Sequence, residues 1–179
     1  MSKYSVKEYL EERKTQQDKD IKKREGTQPK KYHSGLSKST KEKRDAHFKK
    51  GAKMDDDNPR AYKKAPGDAT AKTKESKYTK KYREKFGEEV EFITENPDKA
   101  LKKKSEDSGI SVSILKQVYK RGVAAWRTGH RPGTTPEQWG FARVNSFIVG
   151  GKTRRTADAD LWRKHKGQWW NQSTTFKMI

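Results

Sequence analysis

The sequence has 179 residues, a formal net charge of +20 at pH 7 and no cysteine. Hydrophobic residues make up 28% of the chain and charged residues 38%, which leaves too little apolar material for one core that includes every residue. The missing cysteines exclude disulfides, thiolate metal sites and cysteine nucleophiles. No apolar run approaches the roughly 18 residues of a membrane span. The first residues also lack the apolar core of a signal peptide. These features predict an intracellular or virion-interior protein.

Apolar residues and charge are distributed differently along the chain. Ile, Leu and Val number six in residues 1–96 and twelve in residues 97–179, and all five Trp lie in the second part. Residues 1–96 carry 27 Lys and Arg against 18 Asp and Glu, and residues 97–179 carry 17 against 6. Both parts should attract a polyanion, and nucleic acid is the commonest one. An anionic membrane surface is the alternative, but no strongly apolar face accompanies the charge.

The N-terminal part reads as a charged helix followed by a polar arm with short helices. Ser5 and Glu8 form a capping box that starts a helix over residues 4–25. Ser39 and Glu42 form a second box before a short helix that reaches about residue 50. Further short helices are predicted over 78–86 and 88–94, separated by loops rich in Asp, Pro and Gly. Aromatic residues lie among the cations of this arm. That pattern suits stacking on single-stranded nucleic acid, and equally docking on a protein.

The central stretch, residues 97–129, predicts two helices joined by a tight turn. Asn96 caps a helix that begins at Pro97 and ends before Gly109. Ser111 then caps a second helix, which carries apolar residues at a spacing of three and four and extends as far as residue 128. Two helices joined by a short turn with Gly form a helix-turn-helix-like hairpin, although a plain helical hairpin in a small core fits the same pattern.

The C-terminal part predicts two more helices. Thr135, Pro136 and Gln138 give a cap, an N1 proline and a capping box for a helix that reaches residue 149. Thr156 is expected to cap a helix to about residue 166, followed by a mixed tail. Most of the Trp residues are expected in the core, with one of Trp169 and Trp170 exposed. The fold class is therefore all-α. The predicted segments are a charged helix over 1–25, a basic and partly disordered arm over 26–95, and a Trp-rich helical domain over 96–179.

The exposed side of the second hairpin helix carries hydroxyls, an amide and cations, which are the side chains that meet base edges and phosphates. Basic residues after the hairpin would hold the flanking backbone. The predicted nucleic-acid-binding residues are Ser111, Ser113, Lys116, Gln117, Lys120, Arg127, His130, Arg131, Lys152, Arg154 and Arg155. The four histidines lack the spacing of a zinc site, and no phosphate-binding glycine loop is present, so no metal or cofactor is predicted.

Five strings of the sequence resemble a family of uncharacterised proteins from marine tailed phages of the T4-like type and from large DNA viruses of algae. They are residues 32–40, 65–68, 109–113, 121–133 and 151–158, and the resemblance covers about residues 31–162. It implies a viral origin and a role around the genome or the particle, inside the virion or the host cell. It carries over no catalytic residues.

Three functions remain open from the sequence. The first is a DNA-binding protein that works mainly through phosphate contacts. The second is a minor capsid or other structural virion protein whose arm is ordered by neighbouring viral proteins. The third is a DNA-processing nuclease built from His130, Asn145 and Glu137, although we expect no enzyme.

Overall fold

A computed structural model describes residues 18–21, 29–71, 75–87 and 96–175 of the chain, with side chains as far as residue 167. These ranges contain seven α-helices and no β-strand, which confirms the all-α fold class. The helices are α1 (Lys38–Gly51), α2 (Lys77–Phe86), α3 (Pro97–Ser108), α4 (Val112–Trp126), α5 (Pro136–Ile148), α6 (Lys152–Arg155) and α7 (Ala159–Thr175). Two 3₁₀ turns, Lys30–Tyr32 and Pro59–Tyr62, precede and follow α1. None of the described helices is long and apolar enough to cross a membrane.

The chain divides into two compact units that are discontinuous in sequence. The first unit contains the described residues before Thr73 together with Arg127–Thr134. The second contains the described residues of Lys74–Trp126 and those from Thr135 onwards. This grouping differs from the three segments expected from the sequence, because α2 belongs with the C-terminal helices and the loop 127–134 belongs with the basic N-terminal part.

The second unit has a hydrophobic core built from helices α2 to α5 and α7. Helices α4 and α5 pack most closely, because Gly122 and Gly140 face each other where the two backbones meet. The periodic apolar positions of the sequence supply the buried side chains, as the spacing of three and four predicts. The core consists of Tyr82, Leu101, Ile110, Ile114, Leu115, Val118, Phe141, Val144, Phe147, Ile148 and Leu161.

The first unit is organised around Phe48, which has no exposed surface. The rings of Tyr32, His33, His47 and His130 approach Phe48 edge-on, with centroids 5.1–6.4 Å away. Edge-to-face contacts of this kind add to the free energy that burial of the ring area supplies. Residues 29–71 therefore contain the short helices expected of the arm, and they also bury a small aromatic centre.

Two helix starts differ from the sequence expectation. The N-cap of α1 is Ser37, whose Oγ accepts a hydrogen bond from the Thr40 N–H at 3.3 Å, so the predicted cap Ser39 already lies inside the helix. Thr156 was also wrongly predicted as a cap. It ends α6 at φ −121° and ψ −98°, and α7 begins only at Ala159.

Helix α7 also continues beyond the predicted end at residue 166, as far as Thr175. Trp169 and Trp170 therefore lie in a helix and not in an extended tail, and their side chains are outside the described residues. Most of the predicted helix 4–25 and all of 88–94 also lie outside them. Residues 18–21 form a turn, closed by a hydrogen bond from the Ile21 N–H to the Asp18 carbonyl.

Candidate nucleic-acid interface

The turn between α3 and α4 has the geometry that its residues predict. The Asn96 side chain accepts hydrogen bonds from the Asp98 and Lys99 N–H groups and starts α3. Gly109 ends α3 in the left-handed conformation, at φ 69° and ψ 10°, where a side chain would be strained. Ile110, the next residue, is 2% exposed and enters the core. The turn and this buried residue fix which side of α4 faces solvent.

The predicted base-reading residues share the outer side of α4. Ile114, Leu115 and Val118 have no exposed surface, whereas Ser113, Gln117 and Lys120 are exposed. The Gln117 Nε2 donates to the Ser113 carbonyl one turn earlier, at 3.2 Å. Both residues belong to α4, so this hydrogen bond does not tie Gln117 to another part of the described chain. The amide can therefore exchange it for a base edge at small cost.

Two other predicted residues of this hairpin make contacts that a ligand could replace. The Lys116 Nζ lies 2.8 Å from the Asp98 Oδ2, in an ion pair whose side chains are 41% and 67% exposed. A pair this exposed contributes little, typically below about 1 kcal/mol, so Lys116 can exchange its carboxylate for a phosphate. Ser111 precedes the helix, with its Oγ 3.2 Å from the Ser113 Oγ.

Two aspartates of the second unit, Asp158 and Asp160, are paired with arginines. Asp158 has no exposed surface and accepts hydrogen bonds from Arg143 at 2.8 and 2.9 Å. Arg121 donates to Asp160 at 2.6 and 2.8 Å, and this hydrogen bond lowers the pKa of the Asp160 carboxyl. The exposed lysines Lys99, Lys102, Lys103 and Lys120 have no carboxylate within ion-pair distance among the described residues.

The predicted basic residues of α6 divide into two kinds. Lys152 and Arg155 are exposed and lack a carboxylate partner within the described part of the chain. Arg154 is partly buried, with its guanidinium carbon 3.3 Å from the ring centroid of Trp162. Lys152 and Arg155 are thus open to solvent, whereas the guanidinium of Arg154 lies over an indole ring.

The other three predicted residues lie in the first unit and have different surroundings. Arg127 is 14% exposed, donates to the Gly51 carbonyl at 2.8 Å and pairs with Asp56. Arg131 is partly exposed. His130 has no exposed surface. The predicted phosphate contact of His130 is contradicted by this burial, because a side chain without accessible surface cannot reach a ligand.

His130 belongs instead to a buried ionic cluster of the first unit, which we call the Asp68 cluster: Arg44, Asp68, His130 and Gly133. The Asp68 carboxylate accepts four hydrogen bonds, from Arg44 Nη1 (2.7 Å), His130 Nε2 (2.8 Å), Ala65 N (2.8 Å) and Gly133 N (3.1 Å). Burial alone would raise the pKa of Asp68. The hydrogen bond and charge of His130, the charge of Arg44 and the hydrogen bond from the Gly133 N–H together lower it to about 2.

Arg44 connects the Asp68 cluster to the backbone around it. Its guanidinium, fully buried, donates to the carbonyls of Tyr32, Pro66 and His130 at 2.8–3.0 Å. Sequence analysis missed this role, because Arg44 lies in a run of charged residues typical of a solvated helix face. The available signal was the set of strings that carry the family resemblance, because parts of three of them meet here, within residues 32–40, 65–68 and 127–133.

Two of the residues suggested for a nuclease, His130 and Asn145, are buried. Asn145 is fully buried and donates through its Nδ2 to the Thr79 Oγ1 at 3.3 Å. His130 is buried in the Asp68 cluster, so neither side chain is accessible to a substrate. The described residues also contain no group of three or more His, Asp or Glu that could hold a metal ion.

The side chain of one buried histidine of the first unit makes no hydrogen bond with the described residues. His33 has no exposed surface, and neither its Nδ1 nor its Nε2 has a partner within the described residues. Burial lowers the pKa of His33, and the positive charge of Arg44 lowers it further. The ring packs edge-on against Phe48. His33 is therefore an aromatic core residue in this structure.

Comparison with known proteins gives a family and no activity. Residues 29–162 match the model of a family of unknown function (DUF5824). The match includes helices α1 to α6, the start of α7 and the whole Asp68 cluster. No curated protein and no solved structure is significantly similar to the chain.

Proposed function

The chain belongs to this family of unknown function, and we propose that it binds nucleic acid, DNA in particular, mainly through contacts to phosphates. A formal net charge of +20 on 179 residues gives the whole molecule a strong positive potential. Such a potential draws a polyanion to the surface and supplies most of the free energy of nonspecific binding.

The observation that carries the proposal is the way charge is paired in the second unit. Two of its arginines occupy carboxylates, Arg143 that of Asp158 and Arg121 that of Asp160. Four exposed lysines of α3 and α4 have no carboxylate partner among the described residues: Lys99, Lys102, Lys103 and Lys120. Lys116 pairs only with the exposed carboxylate of Asp98. Positive charge is thus concentrated at the surface, where a phosphate can release the counterions that accompany it.

In this proposal the α3–α4 hairpin makes the central contact. Lys102, Lys103 and Lys120 contact phosphates, and Lys116 leaves the exposed carboxylate of Asp98 for a phosphate. Gln117 presents an amide, which can pair in two places with the edge of an adenine. Lys152 and Arg155 on α6 and Arg131 in the first unit add backbone contacts. His130 and Arg127 keep internal roles.

A variant that lacks three positive charges tests this proposal, and a variant that keeps these charges serves as the control. Replacement of Lys102, Lys103 and Lys120 by Gln should weaken binding to duplex DNA and reduce the slope of log K against log salt by about 3 × 0.9. Replacement of the same three residues by Arg keeps the charge and should keep the affinity. Equal affinities for both variants and the wild type, measured by fluorescence anisotropy, would show that this surface does not bind DNA.

We propose further that the partner is a viral genome and that the protein acts inside the virion or the infected cell. The resemblance of residues 31–162 to proteins of T4-like phages and algal DNA viruses supports this origin. A binding role is proposed in preference to an enzymatic one, because His130 and Asn145 are buried. Retention in purified particles after the DNA is removed by nuclease would favour the alternative, a minor capsid protein. Loss of the protein together with the DNA would favour genome binding.

A further inference from the structure

Arg154 is held in an unusual position for a residue of a short basic helix. Its guanidinium carbon lies 3.3 Å from the ring centroid of Trp162 and 5.7 Å from that of Phe147. The Nη2 donates to the Ile148 carbonyl at 3.4 Å. Gly150 borders the group, since a Cβ there would lie 3.4 Å from the Arg154 Nη1, at ordinary contact distance. Stacking on an indole fixes the plane of the guanidinium before any ligand arrives.

No carboxylate compensates the charge of Arg154 within the described residues. Four other arginines with buried or half-buried side chains each pair with an Asp: Arg44, Arg121, Arg127 and Arg143. Arg154 has a cation as its neighbour instead. Burial lowers the pKa of Arg154, and the charge of Arg155 lowers it further. The aspartates that follow it in sequence, Asp158 and Asp160, are already occupied by Arg143 and Arg121.

Arg154 also retains hydrogen-bonding capacity. Its Nε is buried without a hydrogen-bond partner, and its Nη1 makes no hydrogen bond with the described residues. A buried N–H without an acceptor loses its hydrogen bond to water and gains none in return. A half-buried, stacked, uncompensated guanidinium is stable only if the surrounding packing offsets these costs or if an anion completes the site.

We propose that Arg154, flanked by Lys152 and Arg155 and backed by the Trp162 ring, forms a phosphate-binding site. The oriented guanidinium would donate to two phosphate oxygens, and the two exposed cations would neutralise the remaining charge. This inference deepens the proposed function and rests on it for the source of the phosphate, which is the backbone of a nucleic acid. It differs from a general basic surface because it requires a planar donor in one fixed orientation.

The site can be tested on the full chain with two probes. The first is inorganic phosphate, titrated at constant ionic strength against chloride while the arginine Nε–H signals are followed by NMR. The second is a fluorescent DNA duplex of random sequence, with the variants Arg154→Lys and Arg163→Lys. Arg163 is an exposed residue of α7 next to Trp162 and serves as the matched control. All three proteins carry the same net charge, so differences between them report geometry.

We expect a saturable phosphate shift at the Arg154 Nε–H and none at that of Arg163. On DNA, Arg154→Lys should weaken binding roughly fivefold, because an ammonium cannot stack and donate in two places, whereas Arg163→Lys should change it less than about twofold.

The other outcomes separate the site from the proposed function. If the wild type and both variants bind DNA with equal affinity and phosphate causes no shift, the site is overturned and the proposed function stays intact. A saturable phosphate shift in a protein that does not bind DNA would support the site and overturn the proposed function. Failure of both probes would overturn both. The wild-type phosphate titration needs no variant, so it decides the matter even if Arg154→Lys fails to fold.

Discussion

Replacement of Asp68 by Asn should strongly destabilise the first unit. The carboxylate has four hydrogen-bond donors around it and is 4% exposed, while the side chain of Arg44 is not exposed at all. Asn keeps the volume of Asp68 but removes its charge and turns one acceptor into a donor. Arg44 would then be a buried cation without a counter-charge. Removal of one partner of a buried ion pair typically costs about 3–5 kcal/mol.

Urea denaturation at pH 7 measures this loss, and Asp57→Asn provides the matched control. Asp57 is exposed and forms no ion pair within the described residues, so its replacement should change the free energy of unfolding by less than about 0.5 kcal/mol. A loss below about 1 kcal/mol for Asp68→Asn would refute the view that the Asp68 cluster holds residues 29–71 and 127–134 together.

The pH dependence of the same experiment gives an independent check. The folded pKa of Asp68, about 2, lies below the ordinary value of 3.8. Its contribution is therefore fully present above pH 3.8 and is lost as the pH falls towards 2. The difference of nearly two pKa units corresponds to about 2 kcal/mol. The gap in stability between wild type and Asp68→Asn should narrow by this amount between pH 4 and pH 2. A gap that stays constant over this range would contradict the assignment.

Two further predictions concern the second unit. Gly122→Ala should destabilise it by about 1–3 kcal/mol in thermal or urea unfolding, because the added Cβ would lie 2.7 Å from the Gly140 Cα. Gly167→Ala in α7 meets no atom within 4 Å and should be neutral or stabilising by up to about 1 kcal/mol, so equal effects of the two changes would contradict the close approach of α4 and α5. In DNA binding, Gln117→Ala should cost about 1–3 kcal/mol on a preferred sequence and little on random DNA, whereas Lys116→Ala should weaken all sequences alike. Fluorescence anisotropy on selected and random duplexes measures these losses. If Gln117→Ala weakens binding equally on both kinds of duplex, as Lys116→Ala should, base reading by α4 is excluded.

The parts of the fold that could be predicted from the sequence depend on local interactions. The helix ends of α3 and the start of α5 lie where expected, because each is fixed by backbone hydrogen bonds within a few residues. The residues concerned are Asn96, Gly109 and Thr135. The apolar spacing of α4 likewise identified its buried and exposed sides. The exposed candidates Gln117 and Lys120 were found in this way.

The features that could not be predicted depend on residues far apart in sequence. Arg44 meets Asp68 across 24 residues and the His130 carbonyl across 86. No local pattern distinguishes Arg44 from its exposed neighbours, and His130 in a basic loop looks like a ligand for phosphate. Arg154 was predicted as an exposed cation for the same reason, because the stacking partner Trp162 lies in another helix. Buried charge is set by tertiary contacts, which composition and periodicity do not report.

The measurement that tests the central claim most directly is a binding titration of the full chain on duplex DNA from low to physiological salt. We expect tight binding at low salt and a linear fall of log K with log salt, with a slope of about −0.9 for each phosphate contacted. The slope should correspond to several phosphate contacts, since 44 Lys and Arg are distributed over both parts of the chain. A flat salt dependence, or no binding at low salt, would contradict a nucleic-acid-binding function.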